Sequence, residues 1–213
     1  MKVRMVMATA LAASCGTTLA QSTRPATMAE RLAAGFNDRT QMVMVRDAAT
    51  TTARRSDSVA GGPSARFQTR LGVSFSGTDS NYAYTGANSV QCTSDTNPFA
   101  TANLDLPDGA LIDWVDVFGQ DHSTTDNLTL FLVSTCATTG SMSPPTFTVL
   151  GDVSSSGDAG NFFHTIVLNP PVSVDRFSCK YALRSRFTSS TTGPCVGFDM
   201  ILDKVRVQYH LPE

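Results

Sequence analysis

An all-β antiparallel sandwich, preceded by a cleavable leader and a basic arm, is the fold class this sequence predicts. Three observations carry that expectation. Apolar residues recur with a period of two in short runs across residues 64–213. The runs are separated by turns rich in Gly, Ser, Asp and Pro, such as Thr138 to Pro145 and Ser154 to Gly160. The intervals are also too short for the crossover segments of a parallel sheet. A length of 213 residues with 41% hydrophobic and 16% charged composition suits one sizeable domain after the leader and arm are set aside.

Residues 1–20 read as a signal peptide. Lys2 and Arg4 form a basic start, Met5 to Ser14 an apolar stretch, and Thr18-Leu19-Ala20 places small residues before Gln21, so cleavage is expected between Ala20 and Gln21. The apolar stretch is far short of the roughly twenty residues a membrane-spanning helix needs. Cys15 raises lipoprotein processing as an alternative, although Ala12-Ala13-Ser14 lacks the Leu usual three places before a lipidated Cys. Secretion, or residence in a periplasm or cell envelope, is the expected localisation.

Residues 21–63 form a basic arm and linker, with Arg24, Arg31, Arg39, Arg46, Arg54 and Arg55 against Glu30, Asp38, Asp47 and Asp57. Thr27-Met28-Ala29-Glu30 has capping-box spacing, and Met28, Leu32 and Phe36 recur at helical intervals. Gln41 to Arg46 can extend as a strand, and Gly61-Gly62-Pro63 ends the linker. Two readings of the arm stand: a solvated tail, or a segment that docks by charge on the body or a partner.

In the body, Phe67, Leu71, Val73 and Phe75 alternate with polar residues as one strand. Ala102, Leu104 and Leu106 alternate next, and Pro107-Asp108-Gly109 turns the chain into Leu111 to Gly119, the pattern of a hairpin. Further strands are expected at Asn127 to Thr135, Thr146 to Leu150, Phe162 to Leu168, Phe177 to Leu183, Val196 to Leu202 and Lys204 to Tyr209. The segment Leu106-Pro107-Asp108-Gly109-Ala110, with Ile112, Trp114 and then Leu128, Leu130 and Leu132, resembles a pattern in uncharacterised exported bacterial proteins with jelly-roll-like bodies. The resemblance implies an exported jelly-roll-like sandwich and no activity.

Once the leader is removed, Cys92, Cys136, Cys179 and Cys195 remain, an even set suited to two disulfides in an oxidising compartment. Three connectivities are open, and loop closure favours Cys179 with Cys195 and Cys92 with Cys136. No two of these cysteines have zinc-ligand spacing, and His122, His164 and His210 are scattered.

The formal net charge is −2, which argues against nucleic acid as a partner. That sum hides unlike parts. Residues 71–175 carry eleven Asp and no Lys or Arg, between a stretch with eight basic and four acidic residues (21–70) and one with six basic and three acidic (176–213). The missing Lys also leaves edge strands there without their usual guard, so self-association by strand addition is one expectation.

Motifs that carry chemistry are missing: no G-x-S-x-G, H-E-x-x-H, Walker or dinucleotide-binding pattern occurs. The expected function is therefore non-catalytic binding of a glycan or another envelope or surface component, or a part in an extracellular assembly. The alternative is a secreted hydrolase near Asp121-His122 or His164, where a base could be built without a linear motif. No cofactor is expected, with one qualification: Asp116, Asp121, Asp126 and Asn127 supply hard oxygen ligands that could take calcium, although without EF-hand spacing. Trp114, between Ile112 and Phe118 at even spacing, reads as a core residue rather than a sugar platform.

Overall fold

The computed structural model describes residues 23–27, 29–30, 43–46, 65–77, 82–85, 88–93, 98–137, 145–155, 160–188, 195 and 199–212. The leader, its cleavage point at Ala20 and Gln21, and most of the arm lie outside the described residues.

In chain order the strands are β1 (Thr23–Pro25), β2 (Val43–Arg46), β3 (Arg66–Leu71), β4 (Ser76–Gly77), β5 (Tyr82–Thr85), β6 (Ser89–Cys92) and β7 (Phe99–Leu104). They continue with β8 (Leu111–Asp121), β9 (Leu128–Cys136), β10 (Thr146–Ser154), β11 (Gly160–Ser173), β12 (Cys179–Phe187) and β13 (Met200–His210). A short 3-10 turn at Gly72–Ser74 separates β3 from β4, so the single strand expected from Phe67 to Phe75 is broken.

Two sheets face one another. One is seven-stranded in the order β1-β2-β10-β9-β12-β7-β4; the other runs β11-β8-β13-β6-β5, with β3 also pairing β13. Every pairing is antiparallel except β2 on β10. The alternation read from the sequence places Leu128, Leu130 and Leu132 of β9 and Leu183 of β12 inward against Ile112, Val115 and Val117 of β8 and Val205 and Val207 of β13. Burying such side chains contributes about 1.5–3 kcal/mol each, which fixes register because a one-residue slip would expose the set. Gly119 keeps this face closed: a Cβ there would sit 2.7 Å from the Phe162 ring.

The hairpin expected around Pro107-Asp108-Gly109 is instead a crossing between sheets. The turn is real, with Gly109 at φ 73° and the Ala110 amide donating to Pro107 at 3.2 Å. However, β7 pairs β12 and β4 in one sheet while β8 pairs β11 and β13 in the other. Turn chemistry reverses the chain, and the sandwich decides which sheet receives it.

The disulfides are Cys92–Cys195 and Cys136–Cys179, which corrects the connectivity favoured by loop closure. The reason is topological. β9 lies beside β12 with Cys136 directly opposite Cys179, and their Cα atoms are 4.0 Å apart. Cys92 and Cys195, separated by 103 residues, meet with Cα atoms 5.8 Å apart and both side chains buried. Proximity in a sandwich follows strand neighbours, so the shortest loop was a poor guide.

In the arm, Thr27 and Glu30 form the expected capping box: the Thr27 amide donates to Glu30 Oε2 at 2.8 Å and the Glu30 amide to Thr27 Oγ1 at 3.3 Å. Hydrogen bonding from Arg24 holds the Glu30 carboxyl down to about 2. The expected strand near Gln41 is β2, and with β1 it extends the seven-stranded sheet.

Candidate functional site

The outer face of the six-stranded sheet is where the structure departs most from the sequence-based expectation. Asp113 is an extra residue in β8. Trp114 pairs with Gln208 and Val167, whereas Ile112 pairs with Tyr209 and Val172, so the register shifts across Asp113 on both sides. A bulge of this kind breaks the period-two alternation. Ile112 consequently points into the core, while Trp114 and Phe118 point outward and join no core cluster. Trp114 is thus a half-buried residue of the outer face and not a core plug.

Pairing registers across β11, β8, β13 and β3 set three rows of outward side chains: Phe163–Phe118–Lys204–Leu71, Thr165–Asp116–Arg206–Thr69 and Val167–Trp114–Gln208–Phe67. Two apolar and aromatic rows thus flank a polar one. Phe67 is 53% exposed, Phe163 41% and Val167 43%, a group of large apolar side chains left open on one face. Four strands at their usual spacing make each row about 14 Å across.

The rings are held in place. Phe118 and Phe163 have centroids 4.7 Å apart, the Lys204 ammonium lies 4.4 Å from the Phe118 centroid, and Arg206 sits 5.2 Å over Phe67. Beneath them Asp116 is 1% exposed. Its Oδ1 accepts from Thr165 Oγ1 at 2.8 Å, and its Oδ2 accepts from Arg206 Nε and Nη2 at 3.0 and 2.7 Å. Two guanidinium N–H groups converging on one oxygen of a fully engaged carboxylate fix the Arg206 plane. The face is therefore preformed: aromatic surfaces and cationic donors stand on the central strands of a sheet rather than on loops.

The residues singled out for other chemistry are dispersed. Asp121 is buried, accepting from the Ser123 amide at 2.9 Å and from the Ser155 hydroxyl, which in turn accepts from the Leu128 amide at 2.9 Å. It locks the turn between β8 and β9. His122 is exposed, with its amide tied to the Asp199 carbonyl at 2.7 Å. His164 is half-buried on the inward side of β11, stacked on Phe162 at 5.5 Å. Asp116 and Asp121, five residues apart on β8, are about 16 Å from one another along the strand. Asp126 accepts from Thr188 at 2.9 Å, in the same turn as Asp121. Among the described residues no group of three His, Cys, Asp or Glu side chains is placed to hold a metal ion. None of their helices is long and apolar enough to cross a membrane.

A second concavity, about 310 Å³, lies between β7 and β12, bordered by Asp105, Arg176, Lys180 and Tyr181. Leu104 and Leu106 also line it, and Arg176 reaches Asp105 at 3.0 Å.

No protein-family model matches the chain, and no curated protein does. Among solved structures, the CBM22-1 and GH10 modules of the N-terminal endo-1,4-beta-D-xylanase 10B of Clostridium thermocellum, complexed with xylohexaose, align over 66% of this chain, with 16% identity and a TM-score of 0.37. The aligned region spans 25% of that longer chain.

Proposed function

We propose that this protein is an exported, non-catalytic β-sandwich that binds a glycan on the outer face of its six-stranded sheet. The observation that carries the reading is the open grid of Phe67, Trp114, Phe118 and Phe163 with fixed polar groups between the rings. A pyranose presents C–H groups on its ring faces and hydroxyls at its edge. The first stack on aromatic surfaces and the second need donors and acceptors within reach, which this face supplies through Arg206, Gln120 and Asn161. The shallow form of the face suits an extended chain.

The hydrolase alternative, near Asp121-His122 or His164, is the lesser reading: Asp121 is committed to Ser123 and Ser155, His122 stands out in solvent and His164 stacks on Phe162.

Trp114 is the only tryptophan, so its fluorescence reports on the face directly. Titrating the purified protein with a polysaccharide panel should shift that emission, and Phe163→Ala should weaken binding at least tenfold while leaving the melting temperature nearly unchanged. Binding that persists in a Phe67→Ala/Phe163→Ala variant, or binding to none of the polymers, would overturn the assignment. If sedimentation instead shows a dimer that Phe163→Asp dissolves, the face serves self-association.

A further inference from the structure

We infer that the ligand of this face is an anionic glycan, a polyuronate, recognised through Lys204 with Arg206 beside it; the inference rests on the glycan-binding reading above.

The charge on the face runs against the composition around it. β8 and β11 belong to the stretch that carries eleven Asp and no cation, yet no exposed carboxylate stands in the three rows. The one acid there, Asp116, is buried with both oxygens engaged by Thr165 and Arg206. Its strand neighbours are paired as well: Asp113 meets His210 at 2.9 Å, and the buried Asp121 accepts from the Ser123 amide of the adjoining turn. Even Asp203, next in sequence to Lys204, is the bulged residue of β13 and accepts from Ser89 Oγ at 2.6 Å. The acids of these strands are thus each engaged by a neighbour within the protein.

What remains on it is cationic. Lys204 is exposed, and its ammonium lies 4.4 Å from the Phe118 ring. The Arg206 side chain is 44% exposed beside it. A sugar stacked on Phe118 and Phe163 would bring a ring carboxylate within reach of that ammonium, so one site reads both the C–H face and the charge. A net charge of −2 on the whole chain means that long-range attraction does not explain such binding; it has to be local.

The test is a titration of the full purified protein with polygalacturonate and alginate, each beside its methyl-esterified form, with poly-glutamate as a polyanion without sugar. The acidic forms should bind about fivefold more tightly than their esters, a difference that high salt erodes. Lys204→Gln should bring the acidic forms down to the ester level, and Lys204→Arg should keep the preference. Equal binding of ester and acid would overturn the inference and leave the glycan reading standing. Poly-glutamate binding as tightly as the polyuronates would overturn it as well, because charge alone would suffice. Failure of every glycan to bind would remove both.

Discussion

The two outer faces of the sandwich are built from the same kinds of side chain and have opposite fates. On the seven-stranded sheet, Phe99, Phe131, Val133, Phe147 and Val149 form a second apolar cluster, with Phe131 only 5% exposed and Ala26 of the arm packed on it. Arg184 and Arg186 lie over Phe99 and Phe131 at 4.3 and 5.7 Å, and burial lowers the Arg184 guanidinium to about 10. On the six-stranded sheet the rings and guanidinium are again layered, but Phe67 and Phe163 stay open. The comparison teaches that aromatic and cationic composition does not mark a binding face; what the chain itself covers decides. The closed face has become a second core, and the open one keeps its apolar surface for something else.

The largest expected effect tests that division. Phe131→Ala should cost about 3–5 kcal/mol in chemical denaturation, the penalty of a cavity in a packed cluster. Phe163→Ala on the open face should cost less than about 1 kcal/mol. Similar losses at the two positions would show that both faces are core and would end the distinction.

Asp116→Ala tests whether the open face is rigidly held. It deprives Arg206 and Thr165 of their acceptor, and a loss of about 2 kcal/mol is expected in the same denaturation measurement, moderated because Arg206 is part-exposed and water can replace the carboxylate. Asp116→Asn, which keeps an acceptor for Thr165, should cost less. An unchanged midpoint in the Ala variant would mean that the polar row holds nothing in place.

The smallest effect concerns the arm beside the closed face. The Glu30 carboxyl is lowered from 4.5 to about 2 in the folded protein, chiefly by hydrogen bonding from Arg24. The contribution is therefore complete above pH 4.5 and fades as pH falls from there toward 2. Both side chains are substantially exposed, so it should stay below about 1 kcal/mol. Melting temperatures measured across that window should fall less steeply for Glu30→Gln than for the parent. Parallel curves would show that the capping box does not help hold the arm.

Much of this architecture was legible because strand burial has a short, local period. β9 to β11 lie where the apolar runs are, and the Thr27–Glu30 cap follows from spacing alone. However, β12 starts at Cys179 and leaves Phe177 exposed, and the two strands expected at Val196 to Leu202 and Lys204 to Tyr209 are one, β13, bulged at Asp203. The short strands β5 and β6 escaped, since Tyr82–Thr85 and Ser89–Cys92 are too brief to show a period. Pairing across the fold was not legible either. Whether Cys136 meets Cys179 or Cys92 depends on β9 lying beside β12, a consequence of sheet order that no local pattern encodes. The candidate face was missed for a more local reason: Ile112, Trp114 and Phe118 share an even spacing, and nothing in those residues announces that Asp113 would be looped out between them.

That bulge lets Ile112 and Trp114, two residues apart, face opposite ways, so the open face depends on residue count along β8 more than on the type of residue 113. Asp113→Ala should lose the contact to His210 and leave Trp114 facing outward, because the extra backbone unit persists. Deleting residue 113 would be a different kind of lesion. It would restore strict alternation with Ile112 inward, the tryptophan outward and Val115 inward, so no side chain has to change faces. A deletion scan along β8 should therefore find position 113 the most forgiving, because removing any one residue between Trp114 and Gly119 would turn part of the strand over and carry core side chains outward.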